Sequence, residues 1–217
     1  MAKIKLAEEQ QKALNEMLLG HNIFLTGEAG TGKSTIVQEF KRLTSRNCVF
    51  LAPTGIAAVN IGGSTIHSFL RLTPGLQSED SIEPIASKKQ RELIRSVDVV
   101  VVDEISMVRA DLFWAIDYRL RQVMRGAERR RPFGGKQVIL VGDFYQLPPV
   151  VKSEEEERTI VETLGGIYAF QTQNWIKADF RCFCLKTVHR QGNDNLFLSI
   201  LNHIRHAYMF VHNKQRG

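Results

Sequence analysis

The chain has 217 residues, 43% of them hydrophobic, with 29 Lys and Arg against 23 Asp and Glu for a formal charge of +6. That size suits one ordinary domain, or one plus part of a second. The mean hydropathy of −0.17 is that of a soluble globular chain, and no apolar run approaches the ~18 residues of a membrane span. The basic balance favours a polyanionic partner without specifying one. The opening MAKIKLAEEQQKAL lacks an apolar signal-peptide core. Cys48, Cys182 and Cys184 form an odd set without zinc spacing, so they are expected to be reduced packing residues in an intracellular, reducing compartment, cytoplasm or nucleoid in a bacterium and nucleus in a eukaryote.

Residues 6–19 carry an apolar face at helical spacing and stop at Gly20. NIFLTG, ending at Gly27, then predicts a buried strand, followed by a helix over 33–43. CVFLAP (48–53), VDVVVVDE (97–104), QVILVGD (137–143) and FRCFCL (180–185) predict four more strands, separated by helices at 54–60, 88–96 and 109–125. None of the five alternates between apolar and polar residues. Continuous Val, Ile and Leu runs mean strands covered on both faces, so the expected fold is α/β, a parallel doubly wound sheet. Residues 71–87 are rich in turn formers and read as an insertion, and KSEEEER (152–158) reads as an exposed loop. A last helix is predicted from Asn193. Arg119, Arg121, Arg125, Arg129, Arg130 and Arg131 crowd one stretch, either as a solvated helix end and loop or as a nucleic-acid-facing patch.

GEAGTGKST (27–35) matches G-x-x-x-x-G-K-[ST] between a predicted strand and a predicted helix, the context a phosphate loop requires. Gly27, Gly30 and Gly32 allow the backbone N–H groups from Ala29 to Thr35 to turn towards phosphate oxygens. Lys33 would reach the β- and γ-phosphates and Ser34 would offer its hydroxyl to Mg²⁺. The strand ending in Asp103-Glu104 supplies two carboxylates: Asp103 suits the Mg²⁺ and its waters, while Glu104 suits activation of an attacking water. Together these residues predict a nucleotide hydrolase.

Four further stretches carry a resemblance: APTGIAAVNIGGSTIHSF (52–69), VVVVDEISMV (99–108), PFGGKQVILVGDFYQLPPV (132–150) and VHRQGNDNLFLSILNHIR (188–205). With the phosphate loop and LAEEQQKAL they resemble the first, RecA-like motor domain of superfamily 1 DNA helicases, within the Pif/RecD-like branch that moves 5′ to 3′ on single-stranded DNA. The resemblance implies an ATP-dependent helicase acting on single-stranded DNA and at junctions with duplex, as a monomeric motor of the kind used in repair, recombination and telomere maintenance. It implies that Gln10 reads the adenine edge, that Gln146 contacts the γ-phosphate or the attacking water, and that Arg190 reaches back to the γ-phosphate. It also implies DNA contacts from Thr54, Gly55, Thr65, His67 and Phe69, with hydroxyls for phosphates and flat rings for bases. Phe144 and Tyr145 stay open between packing and the DNA path. Residues 1–70 and 96–192 would form the ATPase domain, 71–95 a small inserted subdomain, and 193–217 a helix and tail leading towards a second motor domain that the chain lacks. Two alternatives share the phosphate loop: an AAA-type protein-remodelling ATPase, and a non-catalytic module that binds nucleotide and DNA or a partner. The GDFYQLPP end of the fourth strand argues against the first, and an intact Lys33, Asp103 and Glu104 against the second.

Overall fold

The structure, a computed structural model, describes residues 6–187. Arg190 and the helix predicted from Asn193 lie outside the described residues. Within them, the strands are β1 (Ile23–Gly27), β2 (Cys48–Ala52), β3 (Ser64–Thr65), β4 (Val99–Val102), β5 (Gln137–Val141) and β6 (Arg181–Leu185). The helices are α1 (Glu8–Leu19), α2 (Lys33–Leu43), α3 (Gly55–Asn60), α4 (Ile66–Leu70), α5 (Lys88–Ser96), α6 (Ala110–Val123), α7 (Glu154–Leu164) and α8 (Gln173–Ala178). The strands form one parallel sheet in the order β3-β2-β4-β5-β1-β6.

Central strand β4 shows why its sequence is apolar throughout. All four valines are buried. Val100 and Val102 pack into one core with Phe113, Ile116 and Leu120 of α6, while Val99 and Val101 pack into a second core with Leu14 and Met17 of α1 and Ile36 and Phe40 of α2. Successive side chains of a strand point to opposite faces, so a strand covered on both sides has no polar positions to spare. The α6 face is the more aromatic: Phe113 meets Phe133 and Trp175 with centroids 5.5 and 5.7 Å apart. Phe144 stands against Phe24 and Phe170 at 5.5 and 4.8 Å and is a packing residue.

Three expectations are corrected. The charge run at 152–158 is not a loop but the start of α7. Ser153 caps it, accepting from the Glu156 N–H at 3.2 Å, and four glutamates occupy the first turn, where their charge complements the positive end of the helix dipole. The cysteines Cys182 and Cys184 are free but not packed: among the described residues β6 lies at the edge of the sheet, and its Leu185 is buried while both cysteines are exposed. Arg119 is no solvated residue of a helix end. It is 2% exposed and donates from Nη1 to Glu83 O (2.6 Å) and from Nη2 to Arg71 O (3.1 Å). Those bonds fasten the insertion to α6. Residues 71–87 contain no helix or strand, yet Leu72, Ile82 and Ile85 are buried in the α6 core and the Gln77 N–H donates to Asp111 Oδ2 at 2.8 Å.

Candidate nucleotide and nucleic-acid site

Because β2, β4, β5 and β1 are neighbours and parallel, their carboxyl ends share one edge of the sheet. Four of the predicted motifs therefore meet there: the phosphate loop after β1, Thr54 after β2, the acidic pair after β4 and Gln146 after β5. Open parallel sheets bind ligands in this crevice.

The phosphate loop runs from Gly27 into α2. Gly30 and Gly32 adopt left-handed backbone (φ 82° and 83°), which turns the chain sharply before the helix. Lys33 Nζ donates to the carbonyls of Gly27 (2.7 Å) and Glu28 (3.1 Å), so the ammonium is held over the mouth of the loop. Thr31 is buried, and its hydroxyl donates to Glu28 O at 2.8 Å. Gln10 is not a surface glutamine. It is 3% exposed, its Oε1 accepts from the Ala7 N–H and its Nε2 donates to Thr31 O, both at 2.9 Å. A Cβ at position 32 would lie 2.5 Å from that Nε2, so glycine is what lets the amide lie on the loop.

Ser34 and Asp103 line one small cavity of about 80 Å³ beside Val141. A hydroxyl and a carboxylate are the hard oxygen donors that Mg²⁺ takes in a phosphate site, the phosphates and water supplying the rest. Among the described residues no cluster of three or more His, Cys, Asp or Glu could hold a metal alone. The donor set thus fits a metal that arrives with phosphate. Burial raises the pKa of the Asp103 carboxyl, against the charge of Lys33. Glu104 is raised too, first by burial and then by the charges of Asp103 and Asp143. A raised carboxylate is a better proton acceptor. Glu104 also has left-handed backbone (φ 52°, ψ 44°), a costly conformation for a residue with a side chain, here turning the carboxylate out of the strand line.

Glu104 and Gln146 share the wall of a recess of about 330 Å³ with Thr54, Ile56, Met107 and Leu147. Gln146 donates from Nε2 to Asp143 Oδ2 at 3.3 Å, and its backbone N–H bonds Asp143 O at 2.9 Å. Asp143, 2% exposed, therefore sets where the Gln146 amide lies and also acts on Glu104 through its charge. The sequence pattern assigns Asp143 no role; its place after a strand, three residues before Gln146, is the signal that could have found it. Met107 and Ile56 carry no such signal.

Of the residues expected to contact DNA, Thr54 caps α3 by accepting from the Ala57 N–H (3.3 Å) and Thr65 caps α4 by accepting from the Ser68 N–H (3.2 Å). Capping uses the oxygen of each hydroxyl and leaves its hydrogen to donate. Gly55 is exposed beside Thr54. His67 is half-buried, and burial lowers its pKa against the pull of Asp111, favouring neutral imidazole. Phe69 is partly buried against the α6 core, so packing claims part of its ring.

A family model described as PIF1-like helicase matches residues 5–214. The chain belongs to the PIF1-like helicase family. It is similar to the ATP-dependent DNA helicase PIF1 of Candida albicans, 37% identical over 93% of this chain and 23% of that protein. It is equally similar to the ATP-dependent DNA helicase Pif1 of Bdellovibrio bacteriovorus, 37% identical over 94% of this chain and 44% of that one. Among solved structures, Pif1 helicase from Bacteroides in complex with ADP-AlF3 and ssDNA superposes with a TM-score of 0.84 at 36% identity, covering 94% of this chain and 47% of that one. The chain thus spans less than half the length of these PIF1-like relatives. The RecA-like parallel sheet expected from the sequence is present. No described helix is long and apolar enough to cross a membrane.

Proposed function

We propose that this PIF1-like chain is the first motor domain of an ATP-dependent DNA helicase, acting on single-stranded DNA and at its junctions with duplex as a monomer. The recess in which Thr54, Glu104 and Gln146 share a wall carries this reading, since it joins the hydrolytic residues to the polynucleotide side. On this reading, Gln10 and residues 27–35 hold ATP, Lys33 and Arg190 stabilise charge on the transferring phosphoryl, and Glu104 takes a proton from the attacking water. Ser34 and Asp103 would hold Mg²⁺, which when bound neutralises charge on the β- and γ-oxygens. Gln146, steered by Asp143, relays the state of the γ-phosphate to α3 through Thr54. Thr65, Gly55, His67 and Phe69 continue the DNA path, and residues 71–95 form the inserted subdomain.

ATP in such a motor binds between two domains, and stepping comes from opening and closing that cleft. The chain alone is expected to bind ATP weakly, turn it over slowly and leave duplexes intact. The test is ATP hydrolysis with and without single-stranded oligonucleotide, for this chain and for a version extended by a second motor domain. Stimulation by DNA is expected only in the longer protein, and robust DNA-stimulated turnover by the short one would refute the division of labour. In the longer protein Gln146→Ala should keep ATP affinity within about twofold while abolishing stimulation; a loss of affinity as large as that of Lys33→Ala would remove Gln146 from the relay.

A further inference from the structure

The amino ends of the same strands build a second site. Two adjoining grooves of about 700 and 320 Å³ share Gly20, Arg131, Gly135, Lys136 and Gln137 as their common wall. They run past the starts of β2, β4, β5, β1 and β6, five consecutive strands, on the side of the sheet away from the phosphate loop. Neighbouring strands are ~4.8 Å apart, so the combined groove is about 19 Å long.

Its lining is cationic. Arg46, Arg95, Arg131, Lys136, Lys177 and Arg181 face it, against Asp98, Glu128 and Asp179. Arg95 is paired with Glu92 at 2.7 Å and Arg181 with Glu16, so neither is fully available. The other four make no ion pair among the described residues. Arg46 donates to neutral oxygens, Gln137 Oε1 (2.7 Å) and Leu18 O (3.3 Å). Lys136 is 7% exposed and gives two of its three ammonium hydrogens to Arg95 O (3.0 Å) and Val97 O (2.6 Å). Burial lowers its pKa, the cost of a cation kept in a wall without a carboxylate in contact.

The arginines are seated rather than loose. Gly20 has φ +94°, and a Cβ there would lie 3.0 Å from Arg46 Nη2; Gly135 has φ +76°, and a Cβ there would lie 3.2 Å from Arg131 Nη1. Each guanidinium lies on bare backbone next to the groove. Planar guanidiniums presented this way match the oxygens of a phosphodiester.

We propose that this groove binds a DNA backbone, as a second polynucleotide site at the end of the sheet opposite the motor crevice. Its contacts are to phosphates, so it takes DNA without regard to sequence or nucleotide state. A strand held there would stay attached while the motor side releases and regrips.

The chain as it stands is sufficient for the test. Lys177 is acylated with a soluble reagent alone, with a short DNA duplex, with a single strand, and with polyglutamate. Protection of Lys177 by either DNA is expected, and the two DNA arms tell which form binds. Protection by polyglutamate but by neither DNA, or by nothing, would overturn the proposal. In a binding titration over salt, Arg131→Ala with Lys177→Ala should reduce the slope of log affinity against log salt by about 2, one for each phosphate that the variant no longer neutralises. An unchanged slope would overturn it. Thr54→Ala with Thr65→Ala should leave Lys177 protection intact whether or not the motor-side reading holds.

Discussion

The two ends of the sheet are made from the same strands and differ in every other respect. The carboxyl end gathers three carboxylates, Asp103, Glu104 and Asp143, round one lysine, with backbone turned into left-handed conformations at Gly30, Gly32 and Glu104. The amino end gathers cations, and three of them, Arg46, Arg131 and Lys136, lie against carbonyls or bare glycine backbone rather than against carboxylates. The first sets acids and one lysine round a turn of chain, the arrangement that the proposed hydrolysis requires. The second is a long trough lined mainly by cations. A parallel sheet makes this division available because all strands start on one side and finish on the other.

The largest effect that would sharpen the contrast is on turnover. In the two-domain protein, Lys33→Ala should lower ATP hydrolysis by about 100-fold or more, the scale of removing a preorganised charge stabiliser, as read by phosphate release. Lys177 protection by DNA should not change; a parallel loss would mean that the two ends are not separate.

Glycine replacement comes next. A Cβ at Gly27 would lie 2.6 Å from Leu185 O and 2.9 Å from Thr31 Oγ1, both held in place. At Gly20 the nearest atoms are those of the Arg46 guanidinium, the far end of a side chain rather than backbone, 3.0 Å or more away. Urea unfolding should show Gly27→Ala costing about 3 kcal/mol, as overpacking does, and Gly20→Ala about 1–2 kcal/mol for its left-handed backbone. Equal losses would mean that neighbours do not decide the cost.

The smallest effect concerns charge. Burial and the charges of Asp103 and Asp143 hold Glu104 above the usual glutamate pKa. Between the unfolded and folded pKa values the folded chain keeps a proton that the unfolded chain has lost, so this group lowers stability as pH rises through that window. Above it the full penalty is present. Without metal, Glu104→Gln should therefore raise Tm by about 2–4 °C near neutral pH, and the gain should vanish below the ordinary glutamate range. A thermal scan in chelator at several pH values decides it, and a gain independent of pH would assign the effect to something other than charge.

Legibility from sequence follows the same division. The strands are readable because burial on both faces leaves an unbroken apolar run, and the motifs of the carboxyl end because glycine, lysine and paired acids at fixed spacing serve one chemistry. The helix at Glu154 escapes a reading of the sequence because its signal is a cap, Ser153, before a run of like charge that alone resembles a loop. The exposure of Cys182 and Cys184 depends on β6 lying at the edge, a matter of strand order that no local pattern states. Of the amino-end groove the sequence marks only Arg131, within its basic stretch: the other cations come from segments as distant as Arg46 and Lys177, and only the sheet brings them together.

Strand β6 pairs with β1 over five residues, from Ile23 with Arg181 to Gly27 with Leu185, and the chain leaving it is tied to α1 where Glu9 accepts from the N–H groups of Lys186 and Thr187. Leu185 thus ends its strand against the first glycine of the phosphate loop. A pull on the chain beyond Thr187 along the strand loads all those partners in shear, together, rather than peeling them one by one. Strain arriving along the strand would be shared between its pairing with β1 down to Gly27 and, through Glu9, the helix that carries Gln10.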